Sequence, residues 1–219
     1  QNLLGDVGFY VFTTSDFRFN FKYQNENPDF PVRLSLTNQK GEAVCDKGVV
    51  LSGDGGEGLE CDGLSVGTYI FKVASINSGN SARYQLHDLS FNSNKVVVSD
   101  RVRLFNGGEL FVQPESVINL FSTERGDAVI DVYSGDDFVR SFSTNENNKY
   151  VPVKIGVNED RVVVRSNMVQ VNGSYAGFSK DRIFEPLDRH FISYVSDDVD
   201  YALTKNNIML IKEVSLEVE

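Results

Sequence analysis

The sequence lacks tryptophan and holds little alanine or histidine: its 219 residues include six Ala and two His. Alanine is the best helix former, whereas the 29 Val are β-branched residues that suit strands. This balance excludes a helical bundle and argues against an α/β fold with many helices. No apolar run approaches the roughly 18 residues that a membrane-spanning helix needs, so no membrane insertion is expected. The sequence therefore predicts an all-β protein.

Positive charge is also scarce. The chain has 21 Lys and Arg against 31 Asp and Glu, a net charge of −10 and a pI near 4.7. Proteins that bind phosphate backbones need clustered Lys and Arg, which this balance does not favour. We expect neither nucleic acid nor anionic lipid among the partners. Cations, neutral polysaccharides and other extracellular proteins stay open.

The chain has only two cysteines, Cys45 and Cys61, 16 positions apart across a Gly-rich stretch. We predict that they form a disulfide that staples this stretch as a loop, worth about 3 kcal/mol by the chain-entropy estimate. Two free thiols in a reducing cytosol are the alternative. The chain begins at Gln1 without Met, as a mature exported product would, although a shortened chain would look the same. A secreted or cell-surface location is expected.

Strict alternation marks the strands of the first part of the chain. Segment 17–23 places four aromatic residues on one face and three polar residues on the other, and alternation resumes at 32–36 after Asn-Glu-Asn-Pro-Asp. Asn38-Gln-Lys-Gly41 predicts a turn. Two more strands, Thr68–Ala74 and Ala82–Leu86, are joined by a polar loop at 77–81. Residues 1–92 are predicted to form one antiparallel β-sandwich.

The remaining residues, 93–219, predict short strands separated by turn sequences such as Ser134-Gly-Asp-Asp and Asn172-Gly. Only Lys180 to His190 could hold a short helix, which Pro186 interrupts. We expect a second, jelly-roll-like antiparallel sandwich. A faint echo of the first half would fit a diverged duplication, although alternation common to all sandwiches explains it equally well. The predicted strands are Lys95–Val98, Arg101–Phe105, Glu109–Gln113, Val117–Ser122, Ala128–Tyr133, Phe138–Ser143, Tyr150–Ile155, Arg161–Arg165, Met168–Val171, Phe191–Val195, Ile208–Lys212 and Val214–Val218.

Residues 4–88 carry a recognisable succession of segments. An opening aromatic strand, Phe9-Tyr-Val-Phe12, precedes the alternating strand 17–23 and a strand that runs into Asn38-Gln-Lys-Gly41. A hairpin that begins at Gly67-Thr-Tyr and ends at Tyr84-Gln-Leu86 closes the unit. This succession resembles the bacterial pre-peptidase C-terminal domain. The resemblance implies a small, secreted, non-catalytic jelly-roll-like sandwich attached to other domains.

Catalytic motifs are few. Gly63-Leu-Ser-Val-Gly67 matches G-x-S-x-G, but a nucleophile elbow needs a helix after the turn and a strand is predicted there. His87 and His190 each adjoin an acid in sequence, which does not make that acid an orienting partner in space. Hydrolysis by paired carboxylates stays open because acids are plentiful. We expect no enzymatic activity.

Calcium is the one cofactor that the acidic loops suggest. Gly55-Gly-Glu-Gly-Leu-Glu60 is a single near-copy of a calcium-binding nonapeptide, and calcium takes six to eight oxygen ligands that loops often supply. Solvated acidic loops are the alternative, and no other cofactor is expected. Asn172-Gly-Ser174 is a glycosylation sequon on an expected turn. The candidate calcium ligands are Asp54, Glu57, Asp136, Asp137, Asp197, Asp198 and Asp200.

The two ends of the chain suggest assembly. The tail 213–219 alternates strictly, and the head contains Leu3, Leu4, Val7 and Phe9. A terminal strand can complete its own sheet or pair with the edge of a neighbouring subunit. The leading hypothesis is an extracellular structural or adhesive subunit that self-associates through strand exchange into fibres. The alternative is an accessory module for a polysaccharide or matrix protein, assisted by calcium, which an exposed tyrosine cluster beside acidic loops would favour.

Overall fold

The structure is a computed structural model, and it describes residues 3–76, 84–99, 101–105, 108–122, 127–145, 149–165, 168–172, 176–184 and 186. Sixteen strands and one short 3-10 helix, Lys180–Arg182, lie in these residues. Every strand pairing is antiparallel, which confirms the predicted all-β class. The strands are β1 (Leu3–Leu4), β2 (Val7–Thr13), β3 (Phe17–Thr37), β4 (Ala43–Cys61), β5 (Gly67–Ser75), β6 (Tyr84–Phe91), β7 (Val96–Val98), β8 (Arg101–Phe105), β9 (Glu109–Val112), β10 (Val117–Ser122), β11 (Ala128–Ser134), β12 (Asp137–Thr144), β13 (Tyr150–Lys154), β14 (Arg161–Val164), β15 (Met168–Asn172) and β16 (Ala176–Gly177).

The strands form two sheets. An 11-stranded sheet has the order β13-β10-β15-β8-β1-β6-β3-β5-β2-β7, with β4 paired to β3 alongside this path. A five-stranded sheet has the order β12-β11-β14-β9-β16. Buried apolar residues of both sheets form one hydrophobic core, and strands such as β3, β5 and β9 contribute alternate side chains to it. Burial of these alternate side chains explains why the period-two pattern predicts the strands.

Strand β3 differs from its prediction because it does not stop at the Asn- and Pro-containing segment. It runs unbroken over 21 residues, and the pairing with β4 jumps from Asn25↔Gly53 to Phe30↔Leu51. Five steps on β3 therefore oppose two steps on β4, which is an extended β-bulge. The bulge changes which residues face the core: odd positions are buried before it, and even positions from Phe30 to Leu36 after it.

The bulge allows β3 to pair with two different strands of the sheet. Its first half pairs with β6 through Phe19 to Asn25, and its second half pairs with β5 through Val32 to Thr37. A strand that bends at a bulge can pass from one layer of a sandwich to the other. The predicted hairpin of β5 with β6 is consequently wrong, because each of the two strands pairs with a different half of β3.

The Gly-rich stretch between the cysteines is also not the predicted loop. It is strand β4, which follows β3 from Ala43 to Cys61. Cys45 and Cys61 are bonded with their Cα atoms 6.3 Å apart, whereas 16 extended residues span about 53 Å. Lys47 Nζ and Glu57 Oε2, ten residues apart, are 2.9 Å apart. Strand β4 therefore doubles back on itself, and the disulfide and the ion pair join its two arms.

The predicted boundary near residue 92 lies inside a continuous sheet. Leu3 of β1 pairs with Leu86 of β6 and with Leu104 of β8. Strand β2 likewise pairs with β7, which follows the boundary. The head of the chain thus completes its own sheet. The division into units 1–92 and 93–219 stays a prediction. Strands from the two sides of this boundary pair within one sheet.

The strand predictions for residues 95–172 are confirmed to within a residue or two at each end. The Ser134-Gly-Asp-Asp turn connects β11 to β12, with Gly135 at φ 59°. Of the predicted helix at 180–190, the described residues contain one 3-10 turn. The predicted strands after residue 190 lie outside the described residues. No helix among the described residues is long and apolar enough to cross a membrane.

Candidate functional site

A row of large side chains crosses the outer face of the five-stranded sheet. Along β9, β11 and β14 the core-facing residues are fully buried, and the residues between them, such as Tyr133 and Phe111, keep part of their surface in solvent. The pairing register aligns Phe138 with Tyr133, Tyr133 with Arg161, and Arg161 with Phe111. We call these four residues the aromatic row.

Three side chains of the aromatic row, those of Phe138, Tyr133 and Arg161, are in contact. The Tyr133 and Phe138 rings meet edge to face with their centroids 5.9 Å apart. The Arg161 guanidinium carbon lies 4.5 Å from the centroid of the Tyr133 ring, which is within the range of a cation–π contact. Phe138 is 57% exposed, a large apolar surface for a residue on a sheet face. With strands about 4.8 Å apart, the four residues span about 14 Å.

Polar groups line the row on the same face. Arg161 Nη1 donates a hydrogen bond to Glu109 Oε1 at 2.9 Å, and Arg161 Nη2 lies 3.7 Å from Asp136. Two residues before Tyr133 on β11, Asp131 accepts hydrogen bonds from Ser141 Oγ at 2.6 Å and Arg165 Nε at 2.5 Å. The Ser141 hydroxyl, aided by Arg165, holds the pKa of Asp131 below its usual range. Asp131 is therefore an ionised acceptor.

A second feature lies where β9 and β11 end and β14 begins. It is an open cleft of about 680 Å³, which we call the strand-end cleft, and it includes Gln113, Asn158 and Asp160. Asp160 Oδ1 accepts a hydrogen bond from the Gly135 amide at 2.8 Å, and Oδ2 accepts one from Lys180 Nζ at 2.5 Å. Lys180 thereby lowers the pKa of Asp160. The remaining lining residues are Val112, Pro114, Ser134, Gly135, Val157, Lys180, Ile183 and Phe184.

The candidate calcium ligands are dispersed. Asp54 is exposed on β4, Glu57 is paired with Lys47, and Asp136 and Asp137 occupy the exposed turn beside the aromatic row. In the part of the chain that the structure describes, no three His, Cys, Asp or Glu side chains form a group able to hold a metal ion. Asp197, Asp198 and Asp200 lie outside that part. Calcium binding stays a prediction.

The structure shows where two further sequence motifs lie. Gly63-Leu-Ser-Val-Gly67 leads into strand β5 rather than a helix, and His87 lies on β6 opposite Lys22. His190, the end of the sequon and the tail 213–219 lie outside the described residues. Assembly through the tail therefore stays a prediction.

Sequence reasoning missed the aromatic row. It predicted strands β9, β11, β12 and β14 and the acidic turn, but it treated Asp136 and Asp137 as calcium ligands. The available signal was an outward-facing aromatic residue in adjacent strands, such as Phe111 between buried Leu110 and Val112. Pairing register, which local periodicity does not contain, is what aligns these residues.

No family model and no curated protein sequence matches this chain. The resemblance to the pre-peptidase C-terminal domain therefore stays a prediction, and its confirmed part is the antiparallel β architecture. Among solved structures, the chain is similar to the N-terminal CBM22-1-CBM22-2 tandem domain from Paenibacillus barcinonensis Xyn10C. The TM-score is 0.28 at 7% identity, over 77% of this chain and 80% of that one. A likeness of this size carries no inference about fold or ligand, so function must be inferred from this chain's own residues.

Proposed function

We propose that the protein is a non-catalytic extracellular module that binds a neutral polysaccharide along the aromatic row. The observation that carries this proposal is the alignment of Phe138, Tyr133, Arg161 and Phe111 across four adjacent strands. Sugar rings present faces of C–H groups that stack on the electron-rich faces of aromatic side chains. A straight row about 14 Å long matches a short stretch of an extended glycan.

The polar groups beside the row suit sugar hydroxyls. Glu109, Asp131 and Ser141 supply acceptors and a donor next to the rings, and Arg161 and Arg165 supply donors. A few placed polar groups around an apolar surface are the usual way in which a binding site fixes orientation. Asp131, with its lowered pKa, is ionised and suits the role of a hydrogen-bond acceptor for sugar hydroxyls.

The charge of the site favours a neutral glycan. Two arginines of the face are matched by Glu109 and Asp131, and Asp136 and Asp137 add negative charge at one end of the row. The whole chain carries −10. A polymer of uronic acids or sulfated sugars would be repelled by this surface. The Cys45–Cys61 disulfide supports a location outside the cytosol, where such bonds persist.

The proposal is tested by electrophoresis of the whole chain in native gels that contain soluble polysaccharides. Galactomannan, xyloglucan, arabinoxylan and mixed-linkage β-glucan serve as neutral probes, and polygalacturonate serves as the acidic one. We expect at least one neutral polymer to retard the protein and polygalacturonate to leave it unretarded. Phe138→Ala and Tyr133→Ala should each weaken that binding about tenfold, which corresponds to about 1.4 kcal/mol.

Phe12→Ala is the matched control. Phe12 is a partly exposed aromatic residue of the other sheet with Lys95 Nζ 5.1 Å from its ring centroid, so it repeats the aromatic–cation chemistry away from the row. It should bind as the unaltered protein does. The proposal is wrong if no neutral polymer retards the chain, or if Phe12→Ala weakens binding as much as Phe138→Ala.

A further inference from the structure

We propose that the strand-end cleft is a second sugar subsite, which takes a side group attached to the glycan that lies on the aromatic row. This inference rests on the proposed function. The ligand class is therefore a decorated neutral polysaccharide rather than an unbranched one.

The position of the cleft is the first support. Tyr133 of the row is followed by Ser134 of the cleft, and Asp160 of the cleft is followed by Arg161 of the row. The two features are thus one residue apart in sequence at the end of β11 and just before the start of β14. Because successive side chains point to opposite faces of a sheet, Ser134 and Asp160 face away from the row. A group attached to a glycan on the row therefore reaches the cleft by passing over the ends of these strands.

The direction of the row is the second support. The row runs across four strands, whereas the cleft lies past the ends of three of them. A main chain that follows the row passes beside the cleft and does not run into it. A substituent that points sideways from the main chain, along the strand direction, is the part that reaches the cleft.

The chemistry of the cleft is the third support. Its walls are apolar at Val112, Pro114 and Phe184, and its volume of about 680 Å³ lies in the range of small-ligand sites. Gln113 and Asn158 offer amides that both donate and accept hydrogen bonds. Apolar walls with mixed donors and acceptors suit a sugar ring.

Asp160 is the best-positioned acceptor in the cleft. It is 9% exposed, and its two hydrogen bonds to Gly135 and Lys180 use two of the roughly four acceptor positions of a carboxylate. The ion pair with Lys180 neutralises its charge, so the cleft presents no net charge from this pair. A neutral substituent such as a hexose or pentose therefore fits better than an acidic one.

The test is calorimetric titration of the whole chain with pairs of oligosaccharides that share a backbone. The pairs are mannohexaose with a galactosyl-substituted manno-oligosaccharide, cellohexaose with a xyloglucan oligosaccharide, and xylohexaose with an arabinosyl-substituted xylo-oligosaccharide. In at least one pair, we expect the decorated member to bind about tenfold more tightly. Asn158→Ala and Lys180→Ala should remove this preference and leave binding of the linear member unchanged.

Lys22→Ala is the matched control, because Lys22 and Lys180 are similarly exposed and each pairs with one aspartate. It should keep the preference. The inference is overturned, while the proposed function stands, if both members of every pair bind equally or if the preference survives Asn158→Ala. If no oligosaccharide binds at all, the proposed function itself fails.

Discussion

The Glu159 carboxylate fixes the loop that leads to the candidate site. It is buried and accepts hydrogen bonds from Arg140 Nε and Nη2, both at 2.8 Å, and from the Gly156 amide at 2.7 Å. Arg140 also donates to the Lys154 carbonyl at 2.7 Å. These bonds tie β12 to the connection between β13 and β14. They thereby position the two residues that follow, Asp160 in the cleft and Arg161 in the row.

Glu159→Gln should lower the free energy of unfolding by about 2 kcal/mol at pH 7, because hydrogen bonds to a charged group contribute about 1.5–3 kcal/mol. Arg140 holds the pKa of Glu159 below its usual range. A lowered pKa in the folded state stabilises the fold above the unfolded-state pKa, and this contribution is lost as pH falls through the folded pKa. The difference between variant and unaltered protein should therefore shrink as pH falls below about 4.5.

Urea unfolding from pH 7 to pH 3 measures this difference. Asp88→Asn is the control, because Asp88 forms an exposed ion pair with Lys22 whose loss should leave the free energy of unfolding unchanged. A pH-independent difference for Glu159→Gln would contradict the role given to its charge.

Gly58 has a steric role that another glycine of the same strand does not share. A Cβ at Gly58 would lie 2.5 Å from the Phe19 carbonyl oxygen, whereas a Cβ at Gly48 would meet nothing within 4 Å. Gly58→Ala should therefore destabilise the protein by about 2 kcal/mol, in the range of overpacked cores, and Gly48→Ala should be close to neutral. Thermal unfolding of the two variants compares them directly. Equal melting temperatures would show that β4 shifts without strain.

At the scale of elements, β3 shows what periodicity predicts and what it omits. The alternation at 17–23 and 32–36 predicted both halves and their buried faces correctly. It could not predict that the two halves form one continuous strand. The bulge moves the buried side chains from odd to even positions, and the intervening Asn and Pro residues are typical of turns. Pairing with β4 on one side keeps the strand continuous, and this partner is not visible in the local sequence.

The bulge length can be tested by deletion. Removing one residue, Asn27, should turn the buried side chains from Phe30 to Leu36 towards solvent, because a shift of one residue exchanges the faces of a strand. Removing two residues, Glu26 and Asn27, keeps the buried side chains on their original face and should give a folded though less stable protein. Circular dichroism and the yield of soluble protein distinguish the two outcomes. If the one-residue deletion folds as well as the two-residue deletion, the phase argument is wrong.

Strand β4 and the aromatic row could not be predicted from the sequence for the same reason: both depend on pairing with other strands. The Gly-rich stretch lacks alternation because most of β4 is exposed, with only residues such as Val49, Leu51 and Leu59 buried. Its strand conformation comes from a partner far along the chain. The aromatic row likewise depends on the register of four strands, whereas its individual strands and turn were predictable from alternation and Gly-Asp chemistry.

At the scale of the whole molecule, β4 lies beside β3 at an edge of the 11-stranded sheet. A long exposed sheet edge invites pairing with other chains, and the doubled-back arms of β4 are instead held together by the Cys45–Cys61 disulfide and the Lys47–Glu57 ion pair. The disulfide also limits the freedom of the unfolded chain.

Replacement of both cysteines by serine should lower the free energy of unfolding by about 3 kcal/mol. It should also increase association, because the arms of β4 are then free to separate from each other and expose the edge of β4 that does not face β3. Guanidinium unfolding measures the first effect, and light scattering after size exclusion measures the second. Glu57→Gln, which removes the ion pair and keeps the disulfide, is the control and should stay monodisperse to the same extent as the unaltered protein. An unchanged unfolding midpoint for the serine variant would contradict the bracing role.

The covalent link across β4 changes what a protease does to the protein. A cut anywhere between Cys45 and Cys61 leaves the two fragments joined through sulfur, and the hydrogen bonds of each arm to β3 still hold both pieces in register. A nicked molecule would thus migrate as one chain until a reductant is added. Exposed glycines and charged residues make β4 accessible to proteases, and the disulfide keeps a molecule that is cut there in one piece.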